Sequence, residues 1–382
     1  MRQCIGLALV LTLALVPSAF SQIATGNVYG TVEDESGGVL PGATVSLEGE
    51  AGTRTTTAGS EGNFRFLNLP FGTYTLNVSM AGFGTQEREL VVTTGQNVTL
   101  NFSMKVAAMA EAVTITAETP VVDTKKVGTS TTLTDAELKS TPQARDPWAV
   151  LRTIPGVFVD RVNVAGSESG QQAQFQGKGA NQNDNSFIIE GVDITDQGAP
   201  GSSPGYWDYD SFAEIAVVTG GGDFVQQTGG VNINFVTKRG TNRWRGSARG
   251  YLTHDDFQWS NISGTELEGD PRLQGNDKAN HIRQINDYGV EFGGPIIKDK
   301  LFVWGAYGKQ DIRLVTFSPA NDKTVLEGFN GKVNWQISPS TSFSAFWFNN
   351  EKVKLGRDPG YGLEISEETT LDQGNRNAEF LP

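Results

Sequence analysis

Few residues of this sequence are of the types that carry out enzyme chemistry. The 382 residues include one cysteine and two histidines. The histidines, His254 and His281, do not form a His-Glu-x-x-His motif, in which a helix presents two imidazoles to one zinc ion. A Gly-x-Ser-x-Gly match occurs at Gly201–Gly205, but it lies in a flexible stretch and not between a strand and a helix, where a nucleophile motif of this kind is expected. The sequence therefore predicts a protein that is not an enzyme, with no catalytic residues, no metal site and no cofactor.

Two other kinds of binding, of Ca²⁺ and of nucleic acid, are not favoured by the sequence. Asp193, Asp196, Asp208 and Asp210 could supply the hard oxygen ligands that Ca²⁺ prefers, but they lack the spacing of an EF-hand loop. Solvated loop carboxylates are the favoured interpretation. The net charge of −13 argues against nucleic acid, because phosphate backbones are bound by clustered lysines and arginines.

One segment could bind another protein through its backbone. Apolar and polar residues alternate with the period of a half-buried β-strand along Glu111, Ala112, Val113, Thr114, Ile115, Thr116 and Ala117. No obvious partner strand lies nearby. Two interpretations are open: an edge strand of a neighbouring domain, or a strand that extends the sheet of another protein through main-chain hydrogen bonds.

The first residues indicate export. Arg2 precedes the apolar run Ile5–Val16, which is too short to span a bilayer, and small residues follow. This order predicts a secretory signal over residues 1–21. Cys4 lies inside the signal, so the mature chain would contain no disulfide. An exported, cysteine-free, acidic chain rich in glycine fits a bacterial surface or outer-membrane protein.

Residues 22–105 predict a small β-sandwich, because short alternating strands are separated by glycine and proline. The expected core is Phe64, Phe66, Leu69, Tyr74, Leu76, Val78 and Phe83. The stretches GTVEDESGGVLPGATVSLEG and TTTAGSEGNFRFLNLPFGTYTLNVSMAGF resemble the carboxypeptidase regulatory-like domain. The resemblance implies a carbohydrate-binding-like fold, and sugar binding only by analogy of fold.

Residues 119–240 carry the helix signals. Thr134 and Glu137 form a capping box, and Asp146-Pro147 predicts a second helix start. We expect strands over Val157–Val162, Ser186–Asp193, Ala213–Thr219 and Val231–Thr237. The stretches LRTIPGVFVDR, FQGKGANQNDNSFIIEGVDITD and FAEIAVVTGGGDFVQQTGGVNINFVTKRG resemble the α+β plug domain of TonB-dependent outer-membrane receptors.

Residues 241–382 predict the first strands of a transmembrane β-barrel. Five of the seven tryptophans lie here, and Phe329–Ile337 alternates apolar with polar side chains. The long polar stretches Thr253–Gln284 and Arg313–Lys323 alternate with tight turns. The expected five or six strands are too few to enclose a plug, since barrels of this kind have about 22 strands. We therefore expect an incomplete barrel and an N-terminal fragment of a longer protein.

The order of these domains resembles the Oar-like and SusC-like branches of the TonB-dependent transporters. The resemblance implies import of a scarce solute (oligosaccharide, peptide, siderophore chelate or exported protein) through a plugged barrel in the outer membrane, with the sandwich in the periplasm. The implied partners are TonB with its inner-membrane energising complex, a possible surface lipoprotein and outer-membrane lipid. The linker 106–118 would carry the TonB box at residues 111–117.

Two further hypotheses concern function. The loop residues Tyr206, Trp207, Asp208 and Tyr209 could contact a ligand from the outer side of the plug, or Trp207 and Tyr209 could simply pack on the barrel wall. The alternative function is an outer-membrane-anchored adhesion protein with a carbohydrate-binding-like module and no transport.

Overall fold

The computed structural model describes residues 25–50, 52–106, 129–221, 228–317, 321–338, 341–356 and 370–381. The predicted signal peptide, residues 1–21, lies outside them. The described residues form mainly β-structure with one short α-helix, which confirms the predicted fold class. None of their helices has the length and apolar character that a membrane span requires.

The N-terminal domain is a sandwich of two sheets. Its strands are β1 (Thr25–Asp34), β2 (Thr44–Gly49), β3 (Gly52–Thr57), β4 (Asn63–Pro70), β5 (Gly72–Ser79), β6 (Gln86–Val92) and β7 (Asn97–Met104). One sheet has the order β4-β1-β7, with β1 and β7 parallel, and the other has the order β3-β2-β5-β6. The predicted core is confirmed except that Phe83 is only partly buried. Strand β3 was not predicted, because its sequence, GTRTTT, contains no apolar side chain.

The middle domain is built on a five-stranded sheet of order β12-β11-β14-β13-β8, here called the plug sheet. Its elements are β8 (Thr129–Thr134), α1 (Asp135–Ser140), β9 (Val157–Val159), β10 (Phe175–Gly177), β11 (Ser186–Ile189), β12 (Val192–Asp193), β13 (Phe212–Gly220) and β14 (Asn232–Thr237). The predicted capping box is confirmed, since the Thr134 backbone N–H donates to Glu137 Oε2 at 2.8 Å.

Two predictions for this domain are wrong in detail. Only a 3₁₀ helix, Ala149–Thr153, follows Asp146-Pro147. The Asp146 carboxylate caps Trp148 N–H at 3.2 Å, but Ile154-Pro155 ends the segment before an α-helix can develop. The expected strand Ser186–Asp193 is a hairpin, because Glu190 and Gly191 adopt positive φ angles of 54° and 85° and reverse the chain.

Asp146 makes the stability of the plug depend on pH. Burial raises the pKa of its carboxyl to about 6, although Trp148 N–H and Asn163 Nδ2 donate hydrogen bonds to it. The folded plug therefore binds this proton more tightly than the unfolded chain does. The ionised carboxylate destabilises the plug above pH 6, and this cost should fall as the pH is lowered from neutral toward 4.

We expect Asp146→Asn to stabilise the plug by up to ~3 kcal/mol at neutral pH, with a difference from the wild type that shrinks as the pH falls. Urea unfolding of the full chain in detergent at several pH values measures this difference. Asp160→Asn is the matched control, because Arg161 holds the pKa of the Asp160 carboxyl below its usual range. A constant difference between Asp146→Asn and the wild type at all pH values would contradict the assignment.

The C-terminal domain is one antiparallel sheet of consecutive strands, here called the barrel sheet. Its strands are β15 (Arg245–His254), β16 (His281–Ile297), β17 (Leu301–Val315), β18 (Asn321–Ser338), β19 (Thr341–Leu355) and β20 (Thr370–Leu381). A short turn joins β16 to β17, β18 and β19 remain paired out to Ser338 and Thr341, and a long connection joins β15 to β16. The prediction of a long loop over Arg313–Lys323 is wrong, because β17 and β18 remain paired as far as Val315 and Asn321.

The two faces of the barrel sheet reverse the burial pattern of a water-soluble sheet. On β18, the apolar Phe329 and Trp335 are 46% and 45% exposed, whereas Lys332 is 5% exposed. The outer face also carries aromatic pairs, such as Trp244 stacked on Phe292 with centroids 4.9 Å apart. An apolar outer face and a polar inner face are the arrangement of a strand wall set in lipid.

Candidate functional site at the plug–barrel contact

The plug domain packs against the polar inner face of the barrel sheet. Trp207 of the plug meets Phe348 of β19 edge-on, with ring centroids 6.2 Å apart. On the same loop, the Tyr206 ring lies 4.3 Å from Lys352 Nζ. One aromatic loop thus holds the plug against β19.

Two facing glycines make room for a deeper contact. Gly289 of β16 pairs with Gly308 of β17, so the inner face of the sheet lacks two side chains there. A Cβ atom on Gly308 would lie 2.6 Å from Asp208 Cγ, and one on Gly289 would lie 2.6 Å from Arg249 Cζ. The gap is therefore filled by one acidic and one basic side chain.

Five charged side chains meet at this gap, and we call them the charged cluster: Arg145, Asp208, Asp210, Arg249 and Asp287. Arg249 lies 2.5 Å from Asp208 and 2.6 Å from Asp210, and it also reaches Asp287 at 3.4 Å. Arg145 pairs with Asp210 and lies 3.0 Å from Asp287. All five are largely buried, so these ion pairs are shielded from solvent.

The charged cluster joins the two domains. The plug supplies Arg145, Asp208 and Asp210, while β15 supplies Arg249 and β16 supplies Asp287. A side chain of β17 completes the connection: Gln310 Nε2 donates to the Arg145 carbonyl at 3.0 Å and to Asp287 Oδ2 at 2.9 Å.

The cluster has one carboxylate more than it has guanidinium groups. Asp208 Oδ2 has no hydrogen-bond partner among the described residues. Burial raises the pKa of the Asp208 carboxyl, and the nearby Asp287 carboxylate adds to the rise, against the opposing effect of Arg249. A proton on Asp208, or movement of the plug away from the wall, would change the balance of these ion pairs. The arrangement suits a reversible contact between domains and offers no nucleophile with an adjacent base.

The four predicted ligand residues lie in this contact. Trp207 and Tyr209 are 8% and 4% exposed, and Tyr209 Oη donates to the Leu138 carbonyl at 2.9 Å. Asp208 belongs to the charged cluster, and Tyr206 faces Lys352. Trp207 therefore packs on the barrel wall at Phe348, whereas Tyr209 packs within the plug, against Leu138 and Arg145. A role of the four in ligand contact stays a prediction.

Sequence reasoning did not single out Arg145, Arg249 or Asp287. The sequence pattern could have indicated the two barrel residues, because Arg249 and Asp287 occupy inner-face positions of strands whose outer face carries apolar residues. The metal hypothesis for the aspartates gains no support, since the described residues contain no group of three or more His, Cys, Asp or Glu suited to a metal ion.

The predicted TonB-binding residues Glu111–Ala117 lie outside the described residues, as does most of the linker 106–118. The structure shows where this stretch is attached. It follows β7 of the sandwich, which ends at Met104, and precedes β8 of the plug, which begins at Thr129. Among the described strands, β8 is at the edge of the plug sheet and pairs with β13 alone.

A second buried contact joins the plug to β18. Glu190 Oε1 lies 2.6 Å from Lys332 Nζ, and both side chains are almost fully buried. The same oxygen accepts hydrogen bonds from the Thr237 backbone N–H at 2.6 Å and from its hydroxyl at 2.7 Å. The β11–β12 hairpin is thereby tied both to the end of β14 and to the barrel sheet.

The sandwich lies at the short-turn end of the barrel sheet. Glu50 pairs with Arg245 at 2.5 Å, and its carbonyl accepts from the Asn242 backbone N–H at 3.1 Å. The sandwich also reaches the plug, since the Thr94 backbone N–H donates to Glu214 Oε1 at 3.0 Å. The three domains therefore meet at one junction.

Three family models match consecutive parts of the chain, in the predicted order. The carboxypeptidase regulatory-like domain matches residues 27–105, the TonB-dependent receptor plug domain matches residues 123–234, and an outer-membrane β-barrel domain matches residues 236–325.

Relatives of this chain include a transporter and a receptor. The TonB-dependent transporter Oar of Myxococcus xanthus is 24% identical over 303 residues, covering 76% of this chain and 27% of the relative. The ferrienterobactin receptor of Escherichia coli K12 is 24% identical over 232 residues, covering 55% of this chain and 29% of the relative. This chain thus spans less than a third of the length of either. Among solved structures, P. aeruginosa FpvA bound to heterologous pyoverdines has a TM-score of 0.48 and 12% identity, covering 68% of this chain and 32% of that one.

Proposed function

We propose that this chain, an outer-membrane protein with the regulatory-like, plug and barrel domains of a TonB-dependent receptor, serves in energised import of a solute across the outer membrane of a Gram-negative bacterium. The cargo would be an oligosaccharide, a peptide or a chelate. The observation that carries the proposal is the plug held against the polar inner face of the barrel sheet by the buried charged cluster.

The geometry suggests how a pull from TonB would reach this contact. Residues 111–117 are the proposed TonB box, and β8, which begins at Thr129, is the first described element of the plug after them in the chain. Within the described part of the chain β8 is an edge strand, so its removal from the plug sheet would break strand hydrogen bonds to β13 and to no other described strand. The next element, α1, is linked to the barrel through Lys238, whose Nζ lies 3.6 Å from Asp135 and 2.9 Å from Glu291 of β16. A displaced β8 would therefore disturb the plug on the side where it joins the barrel.

The proposal is tested at the TonB box. A strand added to the sheet of TonB binds through its main-chain hydrogen bonds, so loss of one backbone N–H should matter more than loss of a side chain. We expect Ile115→Pro in the full-length protein to lower binding to the C-terminal domain of TonB by roughly tenfold or more, and Ile115→Ala to bind nearly as the wild type does. A pull-down titration measures both.

Lys126→Pro is the matched control, because it places a proline in the same connection but outside the proposed box. Equal binding by Ile115→Pro and the wild type would refute the TonB-box assignment. If the wild type also failed to bind the C-terminal domain of TonB, the alternative function, an anchored surface protein without transport, would be favoured.

A further inference from the structure

A cavity of about 180 Å³ lies where the three domains meet. Each domain supplies two side chains that matter for the chemistry of the cavity. The sandwich supplies Arg54 and Tyr74, and the barrel strands supply Lys332 and Trp335. The plug and its connection to the barrel supply Glu190 and Arg239. It is at the short-turn end of the barrel sheet, next to the aromatic outer face that carries Trp335.

Two arginines face this cavity without a carboxylate partner among the described residues. Arg239 makes no hydrogen bond or ion pair there. Arg54 donates to the Leu67 carbonyl at 2.9 Å and to Gln336 Oε1 at 3.5 Å, which are both neutral acceptors. Burial lowers the pKa of both guanidinium groups, and the charge of Arg54 contributes to the lowering at Arg239.

Two of the three nearby carboxylates are paired with other cations. Glu190 is paired with Lys332 at 2.6 Å and holds Thr237, and Glu50 is paired with Arg245. Asp299, on the exposed β16–β17 turn, accepts a hydrogen bond from Asn242 Nδ2 at 2.7 Å. Asp299 is bonded to a neutral amide, so the two arginines face one uncompensated carboxylate and the cavity keeps a net positive charge.

One neutral hydrogen-bond donor of the cavity, the Ser344 hydroxyl, is also available. Ser344 Oγ accepts from Asn334 Nδ2 at 2.8 Å, so its own hydroxyl hydrogen is available to donate. Tyr74 Oη is committed to the Pro70 carbonyl at 2.7 Å. Guanidinium groups recognise oxyanions through several N–H donors in a planar fork, and a hydroxyl can add a further bond.

We propose that this junction cavity binds a phosphate-type oxyanion between Arg54 of the sandwich and Arg239 of the plug–barrel connection. The anion would neutralise two like charges that the docked sandwich brings together, so it would also stabilise docking of the sandwich on the barrel. The phosphate could be inorganic or could belong to a phospholipid headgroup of the inner leaflet, since Trp335 connects the cavity to the lipid-facing surface.

The test uses the full chain, purified in a maltoside detergent that contains no phosphate. Isothermal titration with inorganic phosphate against chloride at matched ionic strength measures binding, and mass spectrometry measures phospholipid that stays bound. We expect Arg239→Gln and Arg54→Gln each to weaken phosphate binding, or to lower retained phospholipid, by roughly tenfold. Arg245→Gln, which removes a neighbouring arginine that is paired with Glu50, should stay within about twofold of the wild type.

Each outcome decides the proposal. Phosphate binding without retained lipid identifies the free anion, and binding that appears only after the lipid is stripped identifies the headgroup. Arg54→Lys, which keeps the charge, should bind more tightly than Arg54→Gln, and this comparison stands even if Arg239→Gln does not fold. The inference is overturned if the wild type binds neither phosphate nor phospholipid, or if both glutamine variants bind as the wild type does.

Discussion

Replacing Arg249 with methionine is expected to lower the free energy of unfolding of the plug by about 3–5 kcal/mol, the usual cost of removing one partner from buried ion pairs. Arg249 is the group that contacts all three carboxylates of the charged cluster, at 2.5 Å, 2.6 Å and 3.4 Å. Without it, Arg145 alone would face Asp208, Asp210 and Asp287. Urea unfolding of the full chain in detergent, followed by tryptophan fluorescence, measures the loss, because Trp207 is at this contact.

The proposed cause can be separated from a simple packing defect. Asp208→Asn removes one of the unpaired charges, so the double variant Arg249→Met/Asp208→Asn should recover part of the lost stability. The loss in Arg249→Met should also shrink at lower pH, because burial raises the pKa of Asp208 and protonation removes the same charge. Arg243→Met, at an exposed arginine before β15, should change stability by less than about 0.5 kcal/mol. If Arg249→Met cost no more than Arg243→Met, the cluster would not be what holds the plug.

This contact would set the threshold that a pull must overcome. Buried ion pairs are strong only while their geometry is kept, since each charge has lost its water. A plug held by such pairs can be firmly closed at rest and can still separate completely once Arg249 and Asp208 move apart. At an apolar interface without ion pairs, the resistance to a small displacement would depend less on exact geometry. The charged cluster therefore fits a plug that is displaced as a unit, under the proposed function.

The sequence predicted most where a pattern is local. The alternation Phe329–Ile337 assigned both faces of β18, and the structure confirms it with exposed Trp335 and buried Lys332. The capping box at Thr134 likewise involves residues three apart. The hairpin at Glu190-Gly191 was missed because a non-glycine residue there adopts a positive φ, which no apolar period reveals.

The candidate site was beyond such reasoning, because its members are distant in the chain. Arg145 and Asp287 are 142 residues apart, and the register of three barrel strands decides whether they meet. The aromatic loop at Trp207 was recognised, but sequence alone left ligand contact and packing equally open. Only the gap at Gly289 and Gly308 shows why this loop lies so close to the wall.

The second large effect is expected at the buried pair of Glu190 and Lys332. Lys332→Met should destabilise the plug–barrel contact by about 3–5 kcal/mol, because it leaves a buried carboxylate without its cation. Glu190→Gln/Lys332→Met should recover most of this loss, since a glutamine oxygen can still accept from the Thr237 backbone N–H while the unpaired charge is gone. A double-mutant cycle on the full chain in detergent gives the coupling energy.

Lys323→Met supplies the comparison for that cycle. Lys323 is on the same strand but is more exposed, and it lies 3.7 Å from Asp311. Removal of such a surface pair should cost no more than about 1 kcal/mol. If Lys332→Met and Lys323→Met cost the same, or if the double variant were as unstable as Lys332→Met, the pair would not be the second attachment of the plug. The plug would then be held to the wall by the charged cluster and by Lys238, whose Nζ lies 2.9 Å from Glu291 of β16.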